Sequence, residues 1–195
     1  MVAKWTRAMR SVGWALLVLT VVAAGSARGD VSGGQVICLG RYALCSSAPC
    51  QPIENDDSHV LCDCEVPPEG LNIGESTCLE RAQGLTSTFS LWDLTETESK
   101  PAKRSLACTG EHAGAWAFCL DAPCTAREGR ADCTCQIKAP SDYFTLTGEC
   151  PSSDGERAEI CAKTWSAALQ AELLSGYSQL WSFYAEIPAL EYCPR

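Results

Sequence analysis

The sequence is short of the residues that most catalytic and nucleic-acid sites require. Its 195 residues include two His, His59 and His112, which stand in unlike surroundings. There is no G-x-S-x-G, no H-E-x-x-H, no Gly-rich phosphate loop and no C-x-x-C. Each absence removes a class: serine hydrolase elbow, zinc protease helix, nucleotide cradle, dithiol redox pair. Positive charge is scarce, with 15 Lys and Arg against 24 Asp and Glu and a net charge of −9. Nucleic-acid binders need basic faces to release phosphate counterions, and membrane-surface segments need clustered Lys and Arg, so both roles are disfavoured. Neither Asn55 nor Asn72 stands in a glycosylation sequon. No uncharged run reaches the ~20 residues of a spanning helix.

An apolar stretch of twelve residues, Gly13–Ala24, stands behind a basic start of Lys4, Arg7 and Arg10. Small residues Gly25, Ser26 and Ala27 follow. This order predicts a signal peptide over 1–27, cleaved near Ala27. No Cys follows the small residues and no Arg-Arg pair precedes the run, which argues against lipoprotein and twin-arginine export. Without residues 1–27 the net charge becomes −12 and no stable membrane anchor remains. Arg28-Gly29-Asp30 falls at the cleavage point and is taken as chance.

What the chain has in abundance is Cys, 14 of them, all beyond that segment. An even count in an exported chain predicts a disulfide framework and a secreted or periplasmic location. The candidate bridge residues are Cys38, Cys45, Cys50, Cys62, Cys64 and Cys78, then Cys108, Cys119, Cys124, Cys133, Cys135 and Cys150, then Cys161 and Cys193. The first six are spaced by 6, 4, 11, 1 and 13 residues, the second six by 10, 4, 8, 1 and 14. YALCSSAPC (42–50) lies over WAFCLDAPC (116–124), and LCDCE (61–65) over DCTCQ (132–136). Trp92 follows the sixth Cys of the first set and Trp165 that of the second. The pattern predicts a tandem duplication of a module of ~70 residues. Module 1 spans 28–94, a linker 95–105 broken by Pro101 follows, module 2 with a C-terminal helix spans 106–175, and a tail covers 176–195.

The expected fold is small, disulfide-rich and mainly β with a C-terminal helical segment (α+β). Strands are predicted at Tyr42–Cys45, His59–Val66, Ala115–Leu120 and Ala131–Ile137. Side chains two apart point to one side of a strand, so each C-x-C presents both sulfurs to one core, where they bond different neighbours rather than each other. A helix is expected over Glu156–Leu174, with Asp154 as N-cap and Gly176 as stop, then a short helix over Tyr177–Ala185. Leu180, Trp181, Phe183 and Tyr184 are expected to pack on the β-rich part. Parity predicts a Cys161–Cys193 bridge, each set of six closing on itself. The alternative is that Cys161 joins the second set and frees another Cys for Cys193.

The spacing resembles EGF-like modules over Cys38–Cys78 and Cys108–Cys150. Glu65–Leu71 and Gln136–Pro140 do not place a Gly and an aromatic soon after C-x-C as that family usually does. The chain more closely resembles uncharacterised exported bacterial Cys-rich proteins in its YALC-x4-C opening, later C-x-C and Ser/Thr-aromatic segment Ser87-Thr88-Phe89-Ser90. That resemblance implies an exported, bridged fold and no particular activity.

His59, Cys62 and Cys64 have metal-ligand chemistry at close spacing. The second set has no matching His, and bridged Cys are not thiolates, so no metal and no cofactor is expected. Asp56-Asp57 reads as a solvated turn rather than a general acid–base pair. The expected function is a non-enzymatic binding or structural role outside the cytoplasm, toward a protein or glycan partner. Gln51–Ser58 and Thr125–Arg130 are the candidate display loops. The alternatives are a secreted inhibitor or effector acting on another protein, and a hydrolase whose site carries no motif.

Overall fold

The computed structural model describes residues 31–32, 34–97, 100–184 and 190–194. The expected signal peptide and Arg28-Gly29-Asp30 lie outside the described residues. The elements of the first half are β1 (Val31–Ser32), β2 (Gln35–Gly40), β3 (Ala43–Leu44), β4 (Cys50–Ile53), β5 (Asp56–Glu65), β6 (Gly70–Gly74), α1 (Cys78–Arg81) and β7 (Leu85–Thr88). The second half adds β8 (Arg104–Cys108), β9 (Trp116–Phe118), β10 (Pro123–Ala126), β11 (Arg130–Lys138), β12 (Tyr143–Thr147), α2 (Asp154–Cys161) and α3 (Gln170–Trp181). The fold is therefore a small, disulfide-rich, mainly β structure with few helices.

Its centre is the antiparallel pair β5–β11, in register from Arg130 opposite Glu65 to Gln136 opposite His59. Both strands alternate, as their sequences require. Val60, Cys62 and Cys64 point inward on β5, and Ala131, Cys133 and Cys135 on β11. The register sets Cys62 directly opposite Cys133 and Asp63 opposite Asp132. Each C-x-C bonds outward to two different neighbours: Cys62 to Cys50, Cys64 to Cys45, Cys133 to Cys124, and Cys135 to Cys119. These eight sulfurs, with Ala43, Ala117 and Val60, form one core.

β4 and β5 make a hairpin, as do β10 and β11. The first turns at Asn55 with φ 62°, the second at Gly129 with φ 68°. Asn and Gly are the residues that enter the left-handed region most readily. Since β5 and β11 run antiparallel, the two hairpin tips stand at opposite ends of the shared ladder.

A β2–β6 pair with β1 forms a smaller sheet, and β8–β12 a third. Between them Ile37, Ile73, Leu91, Leu94, Phe144 and Leu146 make a second apolar cluster, which α3 covers with Tyr177 and Leu180. Trp181 packs against this cluster, but Phe183 and Tyr184 are 50% and 40% exposed. The expected aromatic packing therefore holds for Leu180 and Trp181 only.

The long C-terminal helix is not formed as expected. α2 ends at Cys161, residues 164–168 are extended, and α3 runs 170–181. Gly176 thus lies inside a helix, and the N-cap of α2 is Ser153, whose Oγ accepts from the Glu156 N–H at 3.2 Å. The extended segment wins because four neighbours take its backbone groups. Thr164 C=O accepts from Cys50 N–H (3.1 Å) and Trp165 C=O from Ala117 N–H (2.9 Å). Ser166 N–H donates to Ala48 C=O, Ala167 N–H to Ala117 C=O and Ala168 N–H to Phe144 C=O, each at 3.0 Å. Tertiary hydrogen bonds override a modest helix propensity.

The Cys161–Cys193 expectation is also corrected. Cys161 bonds Cys108, and Cys150 bonds Cys193. The end of α2 packs on β8 beside Tyr143 and Trp116, which brings Cys161 to Cys108. The tail also pairs with β8, where Cys193 N–H donates to Ser105 C=O at 2.9 Å. Every described bridge joins two Cys within 38–78 or two within 108–193. Among the described residues the halves are joined by strand pairing, packing, hydrogen bonds and ion pairs, and by no disulfide.

Candidate functional site

Several places among the described residues bring chemistry-bearing groups together. The first is the tip of the β4–β5 hairpin. The Asp56 carboxylate accepts from Ser58 N–H at 2.9 Å, Ser58 O–H at 2.6 Å and His59 N–H at 3.1 Å. The Ser58 hydroxyl and backbone N–H hold its pKa down at about 2. His59 Nδ1 lies 2.8 Å from Ser58 Oγ and 3.0 Å from Asp56 Oδ2. Ser, His and Asp together suggest a nucleophile with its base. In such a triad one ring nitrogen faces the nucleophile and the other the acid. Here both partners meet the same nitrogen, which is the geometry of a turn stabilised by its own side chains.

The second is a buried acid with two cations. Asp93 is 1% exposed. Lys103 Nζ lies 3.1 Å from its Oδ1 and Lys100 Nζ 3.5 Å. Burial lowers the Lys100 ammonium pKa against the opposing pull of Asp93. Lys103 also reaches Ser47 Oγ at 2.9 Å and Glu65 at 3.7 Å. Both lysines come from the stretch that the sequence marks as linker, so this segment is tied to the first half. Sequence reasoning missed Asp93; the signal was a lone acid inside the apolar run Leu91-Trp92-Asp93-Leu94.

The third is an apolar cavity of about 90 Å³ where both halves and the C-terminal segment meet. Phe89, Phe118 and Phe144 line it with Ile73, Leu120 and Leu146. Thr88 also lines it, and its buried hydroxyl has no hydrogen-bond partner among the described residues. A wider cleft of about 510 Å³ runs beside α1 around Arg81. Arg81 is buried, donating to Asn72 Oδ1 at 2.9 Å and Val36 C=O at 2.6 Å, with burial lowering its pKa. Those bonds tie α1 to the β2–β6 sheet.

The structure places His59 on β5 beside the C-x-C, but on the opposite, outer side of the strand from Cys62 and Cys64. The close sulfur sets are Cys45 with Cys119 and Cys135, and Cys45 with Cys64 and Cys133. All fourteen Cys are bridged, and a bridged sulfur is not a thiolate ligand. The candidate loops 51–58 and 125–130 form the two hairpin tips and their flanks. Arg127 and Arg130 of the second tip neutralise the facing acids: Arg130 Nε lies 2.7 Å from Asp63, and Arg127 reaches Asp63 at 2.8 Å and Asp132 at 2.6 Å. The hydrogen bond from Arg130 lowers the Asp63 pKa.

Seven disulfides are the chemistry of an oxidising compartment. Among the described residues, no helix is long and apolar enough to cross a membrane. No family model, no curated protein and no solved structure matches the chain.

Proposed function

We propose that the chain is an exported, non-enzymatic binding protein, secreted or periplasmic, that presents its two hairpin tips to a protein or glycan partner. The observation that carries this is the disulfide frame: four bridges of the central core fix two hairpins rigidly at opposite ends of one ladder. Rigid display lowers the ordering cost of binding. The two halves derive from a tandem duplication on this reading. The second, third, fourth and fifth Cys of each set bond in the same pairs, and the fourth Cys of one set faces the fourth of the other. Opposed tips suit two copies of a partner, or two sites on a repeated one, and give avidity without new contacts.

The test is capture from the native exported fraction. The wild type is compared with a variant changed at both tips, Asp57→Ala with Arg127→Ala and Glu128→Ala. Capture by the wild type and a loss of at least about tenfold in the variant, about 1.4 kcal/mol, is the expected result. Equal capture by both removes the tips from the function. Turnover of peptide, ester or glycoside substrates by the oxidised protein overturns the non-enzymatic reading.

A second reading rests on the cavity. Its volume corresponds to about three waters, and three Phe rings with one unpaired hydroxyl suit a small apolar group carrying one polar atom. Thr88→Val should weaken binding of such a ligand while leaving the fold intact.

A further inference from the structure

The four bridges of the central core touch one another across the boundary between the halves. Cys62 Sγ lies 3.7 Å from Cys119 Sγ, though the two belong to different bridges. The sulfurs of Cys45, Cys119 and Cys135 lie within 4.8 Å of one another, and so do those of Cys45, Cys64 and Cys133. Each bridge thus has a sulfur of another bridge within 4.8 Å. Six of the eight Cys are buried, while Cys50 and Cys124, at the bases of the two hairpins, are half-buried.

We propose that these bridges form a thiol–disulfide exchange path through the core, entered at Cys50 and left at Cys124. A small-molecule thiolate attacks Cys50 Sγ, forms a mixed disulfide there and expels the Cys62 thiolate. Cys62 attacks Cys119, forming Cys62–Cys119 and releasing Cys135. Cys135 attacks Cys45, forming Cys45–Cys135 and releasing Cys64. Cys64 attacks Cys133, forming Cys64–Cys133 and releasing Cys124, which takes up the proton lost by the entering thiol. One disulfide breaks and one forms at every step, so no net oxidant or reductant is consumed. A thiolate inside the apolar core is poorly solvated, which drives it onward to the next sulfur or back to the last. At Cys124 it reaches a site open enough to be hydrated. The path carries a thiol signal from one hairpin to the other. It also replaces four bridges within the halves by three between them, joining covalently two halves that no described bridge joins at the start.

The test uses the oxidised full chain and glutathione as the entering thiol. After incubation and removal of excess glutathione, a bulky polymer-linked maleimide traps thiols that reach the surface, and non-reducing peptide mapping locates every linkage. The expected result is glutathione on Cys50, maleimide on Cys124 at least ten times more often than on Cys62, and the three cross-half bridges. A chain carrying a specific protease site at residues 96–99, cut before treatment, gives a second readout. Its two fragments should separate on a denaturing non-reducing gel before glutathione and run as one band after it. The double variant Cys119→Ser with Cys135→Ser, checked for native circular dichroism, should block both results. Label on Cys62, absence of any adduct, or native bridges re-formed without a cross-half product overturns the proposal.

Discussion

At the scale of single residues, two acids show how environment sets the role of a side chain. Asp56 is exposed, yet its carboxylate is held by the Ser58 hydroxyl and two backbone N–H groups, with its pKa down at about 2. A carboxyl whose pKa is depressed by folding stabilises the native state above its unfolded value of ~3.9, and that contribution is lost as pH falls through the folded pKa. NMR titration of the Asp56 carboxyl should therefore show a midpoint near 2, with the associated stability lost between about pH 4 and pH 2. Ser58→Ala should move the midpoint upward, since it removes the first cause of the shift. Asp93 is the opposite case, a fully buried carboxylate facing Lys100 and Lys103. Asp93→Asn leaves two partly buried ammonium groups without their anion and should cost about 2–3 kcal/mol in denaturant unfolding. Loss of both lysines with Asp93 should cost less than the single change, because no uncompensated charge remains.

At the scale of elements, the segment 164–168 decides the architecture. It touches Ala48 and Cys50 of the first half and Ala117 and Phe144 of the second through backbone hydrogen bonds. Ser166 adds its side chain: the hydroxyl donates to Cys45 C=O and accepts from Ala48 N–H at 2.7 Å. Ser166→Ala leaves both backbone groups buried and unpaired and should cost about 2 kcal/mol. Ser153→Ala, which removes the α2 N-cap at the surface, should cost about 1 kcal/mol. Urea unfolding of the two variants ranks them; an equal or reversed order would mean that the segment is a passenger rather than a tie. The missed helix break follows the same physics. Residues 156–174 hold no Pro or Gly, so nothing local marks the extended stretch. Its cause lies in backbone donors and acceptors 24 to 118 residues away, which a local pattern does not contain.

For the whole molecule, covalent and non-covalent connectivity differ. Bridges stay within each half, while the β5–β11 ladder and the shared core join the halves. A chain cut between 96 and 99 should therefore elute as one particle in native size exclusion and split on a denaturing gel without reductant. Full reduction has a different outcome. A native bridge contributes ~2–4 kcal/mol, and cores of this size rarely exceed ~3–5 kcal/mol per ~70 residues without staples. Circular dichroism in excess reductant at room temperature should show loss of the native β spectrum.

The sequence by itself determined the framework: the Cys pairs that face one core from a C-x-C strand, the polar loops at 51–58 and 125–130, and the mainly β character. These are period-two and turn-residue effects, carried by neighbours along the chain. The same alternation fixes that the two Cys of each C-x-C bond different neighbours, while the choice of neighbour is made by how the hairpins pack. Only the tertiary structure decided where Cys108, Cys150, Cys161 and Cys193 pair, since parity permits both arrangements and packing of α2 on β8 permits one. It alone decided that Asp93 meets two lysines, that three Phe rings enclose a cavity, and that Cys62 rests on Cys119. The Phe rings and the Cys62–Cys119 contact join residues far apart in the chain, and their closeness is set by how the elements pack rather than by what any one of them encodes.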